Sequence, residues 1–599
     1  MKTNRSWGTA PGLLVRRTLL LLGLAVALQT AQAQDPNPAQ PVLSVPESEA
    51  SSPASELAPE VQSAAGPVLP RLTLTATLVY QLLLAEIAIQ RDHLDLALHT
   101  YTELVRSTQD PRLAQRATEV ALYAHQPEAV MAALDQWLKL DPQSLEARQT
   151  LSAVLLAQPE LPDVQALLSR LLAADAPQVA MDFRNLNLVF MQHPDHAGAL
   201  KLARALAEPY PQVPEAHYML GTAAILAEQP ELALSEAQKA LQLQPGWEPA
   251  ALLQARVLQI QDPAQANEFY RSFLAQYPHS RDFRLAFARA LVEQKDYAAA
   301  REQFKAVLSE APDNADLTFA VALLTLQLKD YEQALPLLQQ ALDKHFHDPD
   351  LVRFYLGQAY EELKDWNQAA HWYEAVGPGD QEIQARIRDA LMWSRLQQRT
   401  KALDLLQQTP VHTTEQKDLR TLAQEQVLRD AGDYQGAFDL LNEALKEHPD
   451  ATDLLYEQAI VADKLDRMET LEQDLRRVMV LRPDYAQAYN ALGYSLADRH
   501  IRLPEALALI QKALALAPQD PFIMDSLGWV QFRMGQVTQA LGTLQQAYAL
   551  QSDPEIAAHL GEVEWTLGDA ALARKTWDQA LKNDPSNELL NATVKRLAP

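Results

Sequence analysis

The sequence predicts an all-α chain, a right-handed superhelical solenoid of about 15 helix–turn–helix units of roughly 34 residues each. Three observations carry that prediction. Small residues that open a second helix recur at Ala300, Ala334, Ala369, Ala402 and Ala437, at steps of 34, 35, 33 and 35 residues. Prolines stop the helix pairs on the same clock, at Pro245, Pro278 and Pro312 and again at Pro449, Pro483 and Pro518. The 599 residues include only 18 Gly and are 48% apolar, a composition that favours helix over sheet-rich or Gly-loop architectures.

Taken from the N-terminus, residues 1–33 have the order of an export signal. Lys2, Arg5, Arg16 and Arg17 precede the apolar run TLLLLGLAVAL, and Ala31-Gln32-Ala33 follows it. The run is about half the length a spanning helix needs, so the expectation is a cleaved peptide, cut after Ala33, and a periplasmic mature chain with no membrane span. Arg16-Arg17 also fits a twin-arginine signal, which leaves the export route open. Residues 34–70 are rich in Pro, Ser and Ala and lack aromatics, Lys and Arg, the composition of a disordered linker.

The body of the chain divides by how well the repeat is kept. Residues 71–213 form degenerate units, 214–376 a regular array, 383–585 a second regular array, and 586–599 a polar capping helix. Between the arrays, Gly377-Pro378-Gly379 replaces the usual helix ending, so residues 377–382 are a candidate hinge or an ordinary wide turn. Within a unit, DAGDYQGAFDLLNEALKEHPD shows the grammar. Gly432-Asp433 turns, Tyr434 and Ala437 start the second helix, Leu441 and Ala444 line its buried face, and Pro449 ends it. Gly528 sits inside a helix, where Gly costs about 1 kcal/mol relative to Ala. It is expected where the first helix (A) approaches the second (B) too closely for a Cβ, with Gly221, Gly357, Gly493 and Gly561 in the same register and Ala85, Ala288, Ala322 and Ala459 substituting elsewhere.

Composition also excludes function classes. A formal charge of −26 and the lack of a basic stripe argue against nucleic acid or an anionic membrane as partner. Without cysteine there is no disulfide, thiol catalysis or thiolate metal site. No GxGxxG, GxxxxGK, HExxH or GxSxG occurs, so no cofactor or catalytic residue is assigned. Ser495 in GYSLA lies within a repeat helix with no strand before it and is not read as a nucleophile. The groupings His93/Asp95/His99, His193/Asp195/His196 and His345/His347/Asp348/Asp350 sit at helix ends and loops and are not read as metal sites.

The length and pattern, clearest in EAHYMLGTAAILAEQPELALSEAQKALQLQP and from Asp484 onward, resemble the tetratricopeptide repeat (TPR). That resemblance implies a protein-binding scaffold with its contacts in a concave groove lined by helix A. In the last units, residues not used for the core pick out Asn490, Tyr494, Asp525, Trp529, Phe532, Arg533 and Trp565, with packing between units the competing role for Trp529 and Trp565. The Lys/Asn clamp by which some family members hold a chaperone tail is not reproduced at these positions.

Residues 484–583 are similar to exported TPR proteins of Gram-negative bacteria that include the outer-membrane lipoprotein adaptor of a carboxy-terminal processing protease. The resemblance implies a non-enzymatic adaptor whose partners are a periplasmic protease and cell-wall hydrolases. With no cysteine, the acyl anchor of those lipoproteins has no attachment point, and a Cys-anchored lipoprotein is not expected. A second reading is a component of an envelope-assembly or polysaccharide-export complex, and an enzyme of unrecognised type is a distant third. Sequence leaves the oligomeric state open.

Overall fold

A computed structural model describes residues 70, 74–142, 144, 146–148, 150, 151, 154, 164–174 and 178–598. The expected signal at 1–33 and almost all of the linker at 34–70 therefore lie outside the described residues. Every described element is a helix. The chain divides into two units, one ending at Glu310 and the other starting at Ala311.

In the unit ending at Glu310, successive helices pair as antiparallel hairpins. Examples are Pro214–Leu226 with Pro230–Leu243, Glu248–Gln261 with Pro263–Gln276, and Arg281–Glu293 with Tyr297–Glu310. The degenerate stretch keeps the same construction. Trp137, Leu168, Phe183 and Phe190 join Met219 and Val257 in one continuous core, so the loss of repeat signal there is a loss of consensus residues and not of packing. The first described helix, Ala76–Gln90, exposes Tyr80, Leu83 and Ile87 along one face.

The unit from Ala311 repeats the pattern. It runs through pairs such as Thr452–Lys464 with Met468–Leu481, Ala486–Asp498 with Leu503–Leu516, Pro521–Arg533 with Val537–Leu550, and Pro554–Thr566 with Ala570–Asn583. The final helix, Glu588–Leu597, is capped by the Asn587 side chain and buries Leu589, Leu590 and Thr593 on the last hairpin.

Local chemistry explains these boundaries. Proline opens many A helices at a position whose N–H has no partner, and Asp348, Asp520 and Asp553 cap the freed donors beside it. Most A helices close on one left-handed residue, a step that Glu248–Gln261 skips by running straight into Asp262. Glu228, Lys295, Lys329 and Lys364 hold it at φ between 57 and 63°, and Gly432, Gly535 and Gly568 at 76–90°. The 34-residue period is thus a period of backbone conformation as well as of side chains.

The glycines meet the expectation drawn from Gly528. A Cβ built there would stand 2.5 Å from Leu544 Cγ on helix B, and one on Gly493 would stand 2.6 Å from Ile510 Cγ1 and 3.0 Å from the Ala506 carbonyl oxygen. A main-chain oxygen cannot swing away, so the Gly493 contact fixes how closely the two helices approach. At 377–382 the turn is tied at its first residue. Asp350 Oδ1 accepts the Gly377 N–H at 3.1 Å and a guanidinium hydrogen of Arg353 at 2.6 Å. Tyr373 before the turn and Ala385 and Met392 after it share one core cluster.

Three carboxyls are buried in this second unit at a cost. Burial pushes Asp389 up to about 7, Asp474 up to about 7 and Glu425 up to about 8. The folded state therefore holds protons that the unfolded chain releases near pH 4. The stability these groups lend is complete below about pH 4 and drains away as pH rises toward 8.

Two experiments follow. In urea, Gly493→Ala should cost about 1–3 kcal/mol, whereas Gly542→Ala, in helix Val537–Leu550 with open space around the new Cβ, should stabilise by about 0.5–1 kcal/mol. Denaturation of the wild type should show falling stability from pH 5 to 8. Asp474→Asn should shrink that slope and raise stability at pH 8 by about 1–3 kcal/mol; an unchanged slope would show that Asp474 titrates normally.

Candidate functional site

Three consecutive A helices, Ala486–Asp498, Pro521–Arg533 and Pro554–Thr566, carry the residues singled out by sequence. Because Gly493, Gly528 and Gly561 let each A helix settle onto its own B helix, large aromatic side chains bridge from one hairpin to the next. The indole of Trp529 stacks on the His559 imidazole at 4.2 Å between centroids and 23° between planes. His559 Nδ1–H donates to Asp525 at 2.9 and 3.1 Å to its two carboxylate oxygens. The Tyr494 ring also lies 6.0 Å from His559. Phe532 packs 5.4 Å from Trp529, whose face also meets the Arg533 guanidinium at 5.6 Å. Arg533 in turn donates to the Ala497 and Asp498 carbonyls of the preceding A helix, at 3.3 and 3.1 Å.

Five of the seven predicted residues thus form one knot around a histidine that sequence reasoning missed. His559 follows Asp525 by 34 residues, one repeat, and an acid and an imidazole at that spacing were the available signal.

Exposure corrects the groove expectation for four residues. Asp525 is 0%, Asn490 4%, Tyr494 4% and Trp529 5% exposed, so none offers a free surface to a partner. The physical reason is the close stacking itself, since side chains on the inner row are covered by the next A helix. Phe532, Arg533 and Trp565 remain half-exposed. Trp565 stacks on buried Trp577 at 5.9 Å and is covered on one face by Arg574 at 5.7 Å. Asn490 Oδ1 and Trp529 Nε1 are buried without hydrogen-bond partners among the described residues.

Polar links of the same reach recur along both units. In the first, Arg148 pairs with Asp182 at 2.6 Å and Arg184 with Glu215 at 2.8 Å. In the second, Glu361 accepts from Arg388 and from the buried Tyr373 hydroxyl, each at 2.7 Å. Arg429 bridges Glu425 and Glu457, each at 3.1 Å. Ser495 belongs to this class. Its hydroxyl donates to Asp463 at 2.7 Å and lies 2.6 Å from Arg499, a buried structural link. Asp195 and Asp348, from the histidine groupings, cap helices. No described helix is long and apolar enough to cross a membrane.

Comparison with known proteins adds to this geometry. One tetratricopeptide-repeat family profile matches residues 258–324 and 325–393, and a second matches 186–246, 469–521 and 526–588. The chain is 34% identical over 528 residues to the TPR repeat-containing protein PA4667 of Pseudomonas aeruginosa, covering 87% of this chain and 88% of that one. Among solved structures it is similar to the TPR protein TTC0263 of Thermus thermophilus, with 26% identity, 30% of this chain and 96% of that chain covered, and a TM-score of 0.28. It is also similar to a chain of the Cut9–Hcn1 hetero-tetramer of APC/C, with 13% identity, 88% and 97% covered, and a TM-score of 0.32.

The knot predicts its own weak point. His559→Leu leaves the Asp525 carboxylate, buried in the stack, without the imidazole, and should destabilise the chain by about 3 kcal/mol. It should also shift the Trp529 fluorescence. Equal stability of variant and wild type would mean that the His559–Asp525 hydrogen bond does not hold the last hairpins together.

Proposed function

The chain belongs to the tetratricopeptide-repeat family, and from that membership we propose a non-enzymatic periplasmic scaffold that grips other polypeptides and presents substrates to a periplasmic processing protease. Its repeats make it a protein-interaction scaffold. What supports the finer reading is the export-signal order of residues 1–33 and the resemblance of residues 484–583 to exported adaptor proteins.

The observation that carries the interaction surface is the half-exposed trio Phe532, Arg533 and Trp565 beside a rigid, buried aromatic floor. Two aromatics and an arginine held in place by packing are the residue types that dominate protein interfaces, because they bury large area at small entropic cost. A floor already locked by Trp529, His559 and Trp577 presents them without further ordering.

Affinity capture from native periplasm should recover a protease and at least one cell-wall hydrolase. Phe532→Ala with Trp565→Ala should cut recovery at least about tenfold while thermal unfolding stays within a few degrees of wild type. Undiminished recovery would remove the surface from the account. Stable capture of a membrane assembly in place of a protease would favour an envelope-complex component.

A further inference from the structure

A helix that is apolar on every side is normally a buried helix. Helix Ala315–Gln327 obeys this: nine of its 13 residues are apolar, and every position from Asp316 to Leu326 is buried. Helix Ala76–Gln90, ATLVYQLLLAEIAIQ, is apolar at 11 of 15 positions and buries only Ala85 and Ala88. What stays uncovered is a single stripe. Tyr80, Leu83 and Ile87, three and four residues apart, are 64, 57 and 46% exposed, and Leu74 ahead of the Thr75 cap is exposed as well.

The stripe is also free of charge. Glu86 is the one acidic or basic residue of this helix, and it is spent on its neighbours, accepting from the Tyr101 hydroxyl and from Arg116 Nε and Nη2 at 3.0 and 3.2 Å. In a chain of net charge −26 most of the surface repels a second copy, whereas an uncharged apolar stripe does not. The last hairpin of the other unit is closed by helix Glu588–Leu597, which buries Leu589 and Leu590. Among the described residues nothing closes Ala76–Gln90 in that way. The sequence ahead of it, residues 34–70, holds eight prolines and no aromatic, a composition ill suited to an apolar helical cover.

We propose that this stripe pairs two copies of the chain, the Ala76–Gln90 helices running antiparallel about a two-fold axis. With the axis beside Leu83, Tyr80 of one protomer faces Ile87 of its partner and the two Leu83 side chains face each other. Each exposed apolar residue then meets another, and Glu86 keeps its bonds within its own chain. One helix face about 22 Å long offers less than the roughly 800 Å² per partner of a tight interface, so the pair is reversible in the micromolar range. The contact is separate from the surface around Phe532 and doubles the number of such surfaces in one assembly.

Sedimentation of the purified full chain across micromolar concentrations should show a monomer–dimer equilibrium. Leu83→Glu, which sets two carboxylates against each other at the axis, should weaken the dimer at least about tenfold. Because Leu83 is exposed, the melting temperature of the dilute, monomeric protein should not change. Leu83→Cys gives a second readout in a chain with no other cysteine. Mild oxidation should link it into a covalent dimer, whereas Met181→Cys, comparably exposed on helix Val179–Gln192, should stay monomeric. A wild type that is monomeric throughout this range would overturn the proposal, whether residues 34–70 or a different protein cover the stripe. So would a dimer left equally strong by Leu83→Glu, or Leu83→Cys linking no faster than Met181→Cys.

Discussion

The closest approach between the two helices of each hairpin governs everything else in this molecule. At Gly493 and Gly528 no side-chain atom fits between helix A and helix B, and at Ala288 and Ala459 a single methyl does so with no exposure. A tight hairpin is thin, and thin hairpins bring successive A helices close enough for Trp529 to stack on His559 and for Arg533 to reach the Ala497 carbonyl. Larger residues at those positions would open each pair and pull that network apart.

The same spacing decides which residues are available to a partner. In the last repeats Tyr494 and Trp529 are buried within the stack, and the side chains left half-exposed, Phe532, Arg533 and Trp565, lie about one turn further along. In the earlier unit Arg289 holds the equivalent position, its Nε and Nη2 enclosed without a hydrogen-bond partner among the described residues.

Much of the fold was legible because the period is written several times over. The prolines, the small packing residues and the residue closing most A helices recur on one clock, so local and long-range signals agree. Residues 110–211 were harder to read, since Trp137 and Phe183 fill the core there and no glycine marks the close approach of the two helices. The candidate site was half legible. Register alone brought Tyr494, Asp525, Trp529, Phe532 and Arg533 together, but periodicity says which face a residue is on and not whether the next repeat covers it. His559 and the ion pairs between repeats were missed because their partners lie 27 to 36 residues away, where only a spacing of about one repeat points to them.

The dependence on helix approach is most directly tested by a double-mutant cycle between Gly528 and Leu544, the side chain nearest the missing Cβ. If the glycine is required because a methyl would strike Leu544, the Gly528→Ala cost should fall by about 1–2 kcal/mol in a Leu544→Ala background. Strictly additive costs would contradict the account, because the two helices would then tolerate the methyl independently of what faces it.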